Sequence, residues 1–237
     1  MSRFMCNVSG RIRGSGQMEV IKVGGSLLKA PNKLRDFCRK IPKVRDYSDF
    51  IIIPGGGPFA DLVRRFHVEL KFSDSIAHYM AITSMDMYGF LLSDLIPTSK
   101  TVTTIHDAVY MLKLGYIPIL LPSRLILDLN TLEHSWRVTS DTISAYIASI
   151  IGLKRVILVK DVDGLYSEDP KHSKTARFLE RVKASEVSRM ESSCLDSALP
   201  EFLISNGMKC IVLGPDISEL INVFRGLEFH GTVIVPE

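Results

Sequence analysis

Glu19-Val20-Ile21-Lys22-Val23-Gly24-Gly25-Ser26 is a β-branched run that stops at two consecutive glycines, and Phe50-Ile51-Ile52-Ile53-Pro54-Gly55-Gly56-Gly57 repeats the pattern. A Val/Ile run ending in glycines reads as a buried strand delivered to the carboxyl edge of a sheet. With no side chains to shield them, the glycines present bare N–H groups ahead of a helix N-terminus. That is an anion site, and phosphate is the usual anion. Two such turns imply two phosphoryl groups held face to face, the geometry of phosphoryl transfer.

Strands and helices alternate outward from these turns. Leu34 to Ile41 reads as a short helix stopped by Pro42, and Pro58 to Glu69 as a helix with Phe59, Leu62, Val63 and Phe66 on one face. Ser73 to Leu95 is a long helix with an N-cap serine, and its apolar set Ile76, Met80, Thr83, Met87, Phe90, Leu91 and Leu95 recurs at helical spacing. Ile105 to Leu114 closes at Gly115, Ile117 to Leu121 is a buried strand, and Leu125 to Trp136 reads as an irregular hairpin. Thr139 to Ile151 is a helix capped by Thr139 or Ser140 and stopped by Gly152. Val156 to Val159 is a strand, Leu199 to Ser205 a helix, and Cys210 to Leu213 and Thr232 to Val235 are strands. Repeated β-α-β units with continuous apolar strands predict an α/β fold with a mainly parallel sheet covered on both faces.

Composition narrows the function classes. A chain of 237 residues, 46% hydrophobic, buries one substantial core. Residues 1–17 carry no apolar h-region and are expected to be a disordered leader or an upstream-start extension, leaving 18–237 as a single domain. A net charge of +3 with no basic run or basic-aromatic stripe disfavours nucleic acid. No stretch reaches the roughly 18 apolar residues of a membrane span. The four cysteines (Cys6, Cys38, Cys194, Cys210) have neither disulfide nor metal spacing and read as reduced, buried thiols of a cytoplasmic protein. His78, His106 and His134 show no metal spacing. Absence of Gly-x-x-x-x-Gly-Lys-Ser/Thr argues against a P-loop enzyme, and absence of Gly-x-Gly-x-x-Gly against dinucleotide redox chemistry.

The chemistry-bearing candidates follow from position. Lys22, beside Gly24, Gly25 and Ser26, offers an ammonium to offset charge on a moving phosphoryl group; the alternative is a solvated lysine at a plain turn. Gly55, Gly56 and Gly57 cost backbone entropy and contribute no packing, so they read as a binding turn for an acceptor rather than a surface loop. Arg64, about two turns along the next helix, is equally a phosphate clamp or a solvated residue. Asp141 opens a helix, where it either caps or orients a cation such as Lys22. Asp161-Val162-Asp163-Gly164 is an ordinary acid-rich turn alone and a nucleotide shelf at a strand's carboxyl end.

Taken in order, Lys22-Val-Gly-Gly-Ser26, Pro54-Gly-Gly-Gly57, Thr139-Ser-Asp141, Lys160-Asp-Val-Asp-Gly-Leu-Tyr166 and Gly231-Thr-Val-Ile234 resemble the motifs of the amino acid kinase family, from about Glu19 to the C-terminus. The resemblance implies a three-layer α/β/α sandwich, with ATP over the C-terminal half and acceptor over the N-terminal half. Ser73-Asp74-Ser-Ile-Ala-His78 and His134-Ser-Trp136-Arg-Val-Thr-Ser-Asp141 are similar to the branch that includes the [5-(aminomethyl)furan-3-yl]methyl phosphate kinase of methanofuran biosynthesis. It implies transfer of the ATP γ-phosphoryl, with Mg²⁺, onto an existing phosphate. Uridylate or isopentenyl phosphate kinases, or a non-catalytic nucleotide-binding storage or sensor protein, are the alternatives.

Carried over, Lys22, Gly24 and Gly25 hold the transferring group, Gly56 and Gly57 the acceptor, and Asp141 the catalytic cations. Asp161, Asp163, Gly164 and Tyr166 bind nucleotide. Several family members place a second lysine after a Gly-Gly-Met turn, where this chain reads Glu191-Ser-Ser-Cys-Leu-Asp196. Lys160 is the expected substitute, with Lys183 behind it. On the acceptor side Asp74 or Asp86 is expected to pair with an ammonium, and Trp136 or Phe72 to stack on a ring. A homo-oligomer through the long helix is expected, as in relatives.

Overall fold

The computed structural model of the chain describes residues 18–169, 173, 175–190 and 194–237. The leader expected over residues 1–17, Cys6 within it, and residues 191–193 of the altered turn lie outside them.

Among the described residues, eight strands form one sheet in the order β3-β4-β2-β1-β5-β9-β10-β8. They are β1 (Glu19–Val23), β2 (Phe50–Pro54), β3 (Ser99–Val102), β4 (Ile117–Leu120), β5 (Arg155–Val159), β8 (Arg181–Lys183), β9 (Lys209–Leu213) and β10 (Thr232–Val235). A separate two-stranded ribbon pairs β6 (Leu165–Tyr166) with β7 (Phe178–Leu179). All neighbours in the large sheet are parallel except β9 and β10. The glycine-terminated strands β1 and β2 pair in register from Glu19 opposite Phe50 to Val23 opposite Pro54, so both turns leave the same edge side by side.

Strand parity decides which side chain meets which helix layer. Val20 of β1, Ile51 and Ile53 of β2, and Val156 and Leu158 of β5 share one core with α6 (Ser140–Ile150). Ile21, Val23, Ile52, Ile157 and Val159 face the opposite core with α1 (Pro31–Lys40) and α9 (Ile217–Arg225). Lys22 has the parity of Val20, and Lys160 that of Leu158, so the sheet aims both lysines at the α6 layer.

Four expectations need correction. The stretch from Leu125 is no hairpin: α5 spans Pro122–Leu129, with Pro122 at its first turn and Asn130 left-handed at its C-cap (φ 46°). In α3 (Asp74–Leu95) the buried face is Ala77, Ile82, Met85, Tyr88 and Leu92, whereas Ile76, Met80, Met87, Phe90 and Leu91 are exposed. In α2 (Gly57–Leu70) Val63 is buried while Leu62 and Phe66 are exposed. Both α3 faces are apolar, so periodicity alone does not say which one packs inward. Gly89 decides it: a Cβ there would stand 2.5 Å from Leu121 Cδ2, so only the glycine face lets α3 approach the sheet closely. Cys38 and Cys210 are buried as expected, but Cys194 is exposed.

Candidate active site

The two glycine turns touch. A Cβ on Gly25 would lie 2.3 Å from Gly57 N, and one on Gly57 would lie 2.6 Å from Gly25 O. Gly57 adopts a φ of 53°, a left-handed backbone that side chains disfavour. Only glycine at both positions permits this crossing, which merges the ends of β1 and β2 into one cleft. The cleft has a volume of about 440 Å³ and is lined by Lys22, Gly25, Ser26, Gly57, Asp141 and Lys160, with Arg64, Trp136 and Asp161 at its walls.

At its floor Asp141 joins two lysines. Lys22 Nζ donates to Asp141 Oδ1 at 2.9 Å, and Lys160 Nζ donates to Asp141 Oδ2 at 2.8 Å. Lys160 also donates to the carbonyl of Cys194. Lys22, Asp141 and Lys160 are 4%, 3% and 7% exposed. Burial alone would raise the Asp141 carboxyl, but Lys160 and Lys22 outweigh it and hold it far below the usual carboxylate range. Burial pulls the Lys22 ammonium below its ordinary value, and Lys160 adds to the fall against the attraction of Asp141. For Lys160 burial pulls the same way, but Asp141 overcomes it and the net shift is upward. One carboxylate between two ammonium groups leaves the cluster with a net positive charge, facing a cleft.

Asp141 does not cap α6. Asp196 does, from across the chain: its Oδ2 accepts from the backbone N–H of Thr139 (2.9 Å) and Thr142 (3.0 Å), and its Oδ1 accepts from the Leu199 N–H at 3.0 Å. One carboxylate therefore ties the start of α6 to the start of α8 (Leu199–Asn206). Sequence reasoning missed Asp196. A short-range capping pattern cannot reveal it, because donor and acceptor are 57 positions apart.

The remaining candidates divide. Ser26 Oγ donates to Asp161 Oδ1 at 2.6 Å across the cleft mouth. Asp163, Gly164 and Tyr166 stand beyond it, held to the far end of the sheet: the Leu165 N–H donates to Thr232 Oγ1 at 2.7 Å and the Tyr166 ring packs edge-on to Phe178 at 5.3 Å. Gly24 and Gly55 are backbone to the turns, donating to Val159 O (2.7 Å) and Val23 O (2.9 Å). Lys183 is exposed at the end of β8, away from the cleft.

On the acceptor side, the Arg64 guanidinium carbon lies 4.5 Å from the centre of the Trp136 ring. The Trp136 indole N–H donates to His67 Nδ1 at 3.0 Å, which places the His67 proton on Nε2, facing Asp74 Oδ1 at 3.4 Å. Asp74 is thus linked to the cleft wall through His67 and Trp136. Asp86 faces Ser123, accepting from its backbone N–H at 3.2 Å, and so caps α5. Phe72 packs on His67 at 5.1 Å. His78 and His134, unremarkable in sequence, stack with centroids 4.8 Å apart.

Among the described residues no group of three or more His, Cys, Asp or Glu side chains converges as a metal site, and no helix is long and apolar enough to cross a membrane. A model of the amino acid kinase family matches residues 17–214. Among curated relatives, the [5-(aminomethyl)furan-3-yl]methyl phosphate kinase of Methanocaldococcus jannaschii is 33% identical over 92% of this chain and 98% of that protein. The uridylate kinase of Pyrococcus abyssi is 24% identical over 92% of this chain and 99% of its own length. Two solved structures share the fold: uridylate kinase from Archaeoglobus fulgidus (TM-score 0.70, 23% identity, 92% of this chain and 100% of that one) and UMP kinase from Bacillus anthracis (TM-score 0.72, 18% identity, 93% and 96%).

Proposed function

We propose a reaction from one established premise: this chain belongs to the amino acid kinase family, and it is a phosphotransferase. In our reading it moves the γ-phosphoryl group of ATP onto the phosphate of a small acceptor. The acceptor we favour is the one in the name of the 33% identical relative, [5-(aminomethyl)furan-3-yl]methyl phosphate, which would become its diphosphate. The observation that carries the reading is the contact of Gly25 with Gly57, which opens both anion turns into one cleft above Lys22.

The roles follow from charge and reach. An acceptor phosphate oxygen forms the new P–O bond, the bond from the γ-phosphorus to the β–γ bridging oxygen breaks, and ADP leaves with that electron pair. The attacking oxygen is already ionised, so the step needs no general base. Asp141 is a poor base in any case, since both its oxygens rest on ammonium groups. Its role is to fix Lys22 and Lys160, whose charges offset the negative charge spread over the transferring group. Gly25 and Ser26 supply backbone N–H groups to the donor, while Gly24, whose own N–H donates to Val159 O, shapes the turn that presents them. Gly56, Gly57 and Arg64 hold the acceptor phosphate, with Gly55 anchoring their turn through its N–H to Val23 O; Asp161 with Asp163, Gly164 and Tyr166 forms the nucleotide side.

The cleft fits a nucleotide tail: it is polar and positively charged at its floor, with a glycine cradle that a single Cβ would fill. It fits a Mg²⁺ ion that arrives on the phosphates, because Asp161 offers a carboxylate at the mouth while no all-protein cage converges among the described residues. When bound, the ion would supply positive charge that neutralises part of the phosphates' charge.

We also infer a cytoplasmic homo-oligomer with no membrane or nucleic-acid partner. Support for the self-association is the exposed apolar stripe of α3, which another copy of the same helix would cover.

The deciding experiment is ATP consumption with the furan phosphate, UMP and isopentenyl phosphate, with the product identified by ³¹P NMR. A diphosphate of the furan compound is expected. No turnover with any phosphorylated acceptor would sink the reading.

A further inference from the structure

Beside the main cleft lies an annex of about 150 Å³ between α2, α3 and the start of α6. Gly57, Arg64 and Trp136 line both spaces, so the two communicate at the point where the acceptor phosphate is placed. The annex walls are mostly apolar, contributed by Ile82, Met85, Val138 and Ile143. Its polar members are Asp61, Arg64, Thr139 and Ser140 toward the cleft and the buried His78.

His78 is 6% exposed, and among the described residues no protein group hydrogen-bonds its ring. Its position is fixed by stacking on His134, whose nitrogens are in turn held by Ser75 Oγ at 2.9 Å and Asn130 Oδ1 at 2.8 Å. Burial and the neighbouring His134 press its pKa down to about 4, so it is a neutral imidazole near pH 7. With no protein partner, the ring is left to a group that enters the cavity it faces.

We propose that this annex selects the acceptor: it takes one flat five- or six-membered ring carrying a hydrogen-bonding arm, refuses a nucleoside, and uses His78 as its specificity-determining residue. The size argument is direct. An apolar cavity of about 150 Å³ holds a benzene-sized ring, whereas a nucleoside brings a base and a sugar in series. The polarity argument is that an amine or hydroxyl arm satisfies His78, and its absence leaves the imidazole unpaired, the asymmetry that gives enzymes their sharpest discrimination. The proposal rests on the reading that acceptor phosphate binds at Gly57 and Arg64.

Trp136 is the chain's sole tryptophan and borders both spaces, so its fluorescence reports binding without turnover. The probes are the aminomethylfuran phosphate, benzyl phosphate (a ring without an arm), UMP and isopentenyl phosphate. We expect the furan compound to bind at least tenfold tighter than benzyl phosphate, and UMP to bind at least a hundredfold more weakly than the furan compound. His78→Phe should weaken the furan compound at least tenfold, leave benzyl phosphate within twofold, and leave the KM for ATP unchanged. His78→Gln should recover part of the loss. UMP binding as tightly as the ring phosphates, or His78→Phe weakening both ring probes equally, would overturn the proposal. The two readings fail separately: selective binding without transfer removes the transfer reaction and leaves the annex, while efficient phosphorylation of UMP does the reverse.

Discussion

Lys22 Nζ stands 2.9 Å from Asp141 Oδ1 although the two residues are 119 positions apart in the chain. Lys160 occupies the other oxygen of the same carboxylate. This bridge sets the register of β1, β5 and α6 at the cleft floor, and most of what can be tested begins there.

Lys22→Ala should lower kcat by about 10²–10³-fold, the usual cost of one preorganised charge-stabilising donor. Asp141 keeps Lys160 in that variant, so far-UV circular dichroism and cooperative melting should be retained. Turnover near the native rate would refute this role for Lys22.

Asp141→Asn leaves two buried ammonium groups with no anion between them. We expect a loss of about 3–5 kcal/mol in urea unfolding, the range for breaking a buried ion pair. The pH profile gives an independent check. Lys22 works as an ammonium, and its folded pKa lies below the ordinary 10.5, so kcat/KM should fall on an alkaline limb below that value. Asp141 raises the Lys22 pKa, so removing its charge should move the limb to still lower pH. A limb that stays put would exclude Lys22 as its origin.

Gly25→Ala puts a methyl carbon 2.3 Å from Gly57 N, so the two turns must separate. A destabilisation of about 1–3 kcal/mol, typical of overpacking, should accompany a drop in kcat/KM larger than stability explains at the assay temperature. Equal activity per folded molecule would show that the crossing of the turns is architectural only.

Asp196→Ala removes one carboxylate that caps both α6 and α8, at an expected cost of about 2 kcal/mol or more, since a single cap contributes up to about that. Because α6 carries Asp141, kcat should fall as well, with Asp196→Asn intermediate. Unfolding and initial-rate measurements on the three proteins decide it.

If the proposed self-association runs through α3, Met87→Glu with Phe90→Glu should lower the mass read by light scattering, because both residues are more than half exposed on its apolar stripe. An unchanged mass for a folded variant would overturn that role for α3.

Some features of the site were legible one segment at a time. Gly24-Gly25 and Gly55-Gly57 announce themselves because strand, turn and helix start are local, and the parity of Lys22 within its strand follows from period two. Lys160 came forward only through the resemblance, as the expected substitute for a second lysine that several family members carry. Others were not. Pro122 and Asn130 bracket α5 with good helix signals, yet the polar stretch after Leu129 made the whole segment look like a hairpin. The stripe at Ile76, Met80 and Met87 has flawless helical spacing and still faces outward, since spacing identifies an apolar face without saying what covers it.

The amino-acid sequence by itself determined the parallel α/β plan, the two bare-backbone turns and the family, because these depend on side-chain types at short range. Only the tertiary structure decided that the turns cross at Gly25 and Gly57, that Asp196 rather than Asp141 caps α6, and that His78 faces a cavity. Each of those joins residues far apart in the chain, and close packing between layers, which no local pattern encodes, brings them together.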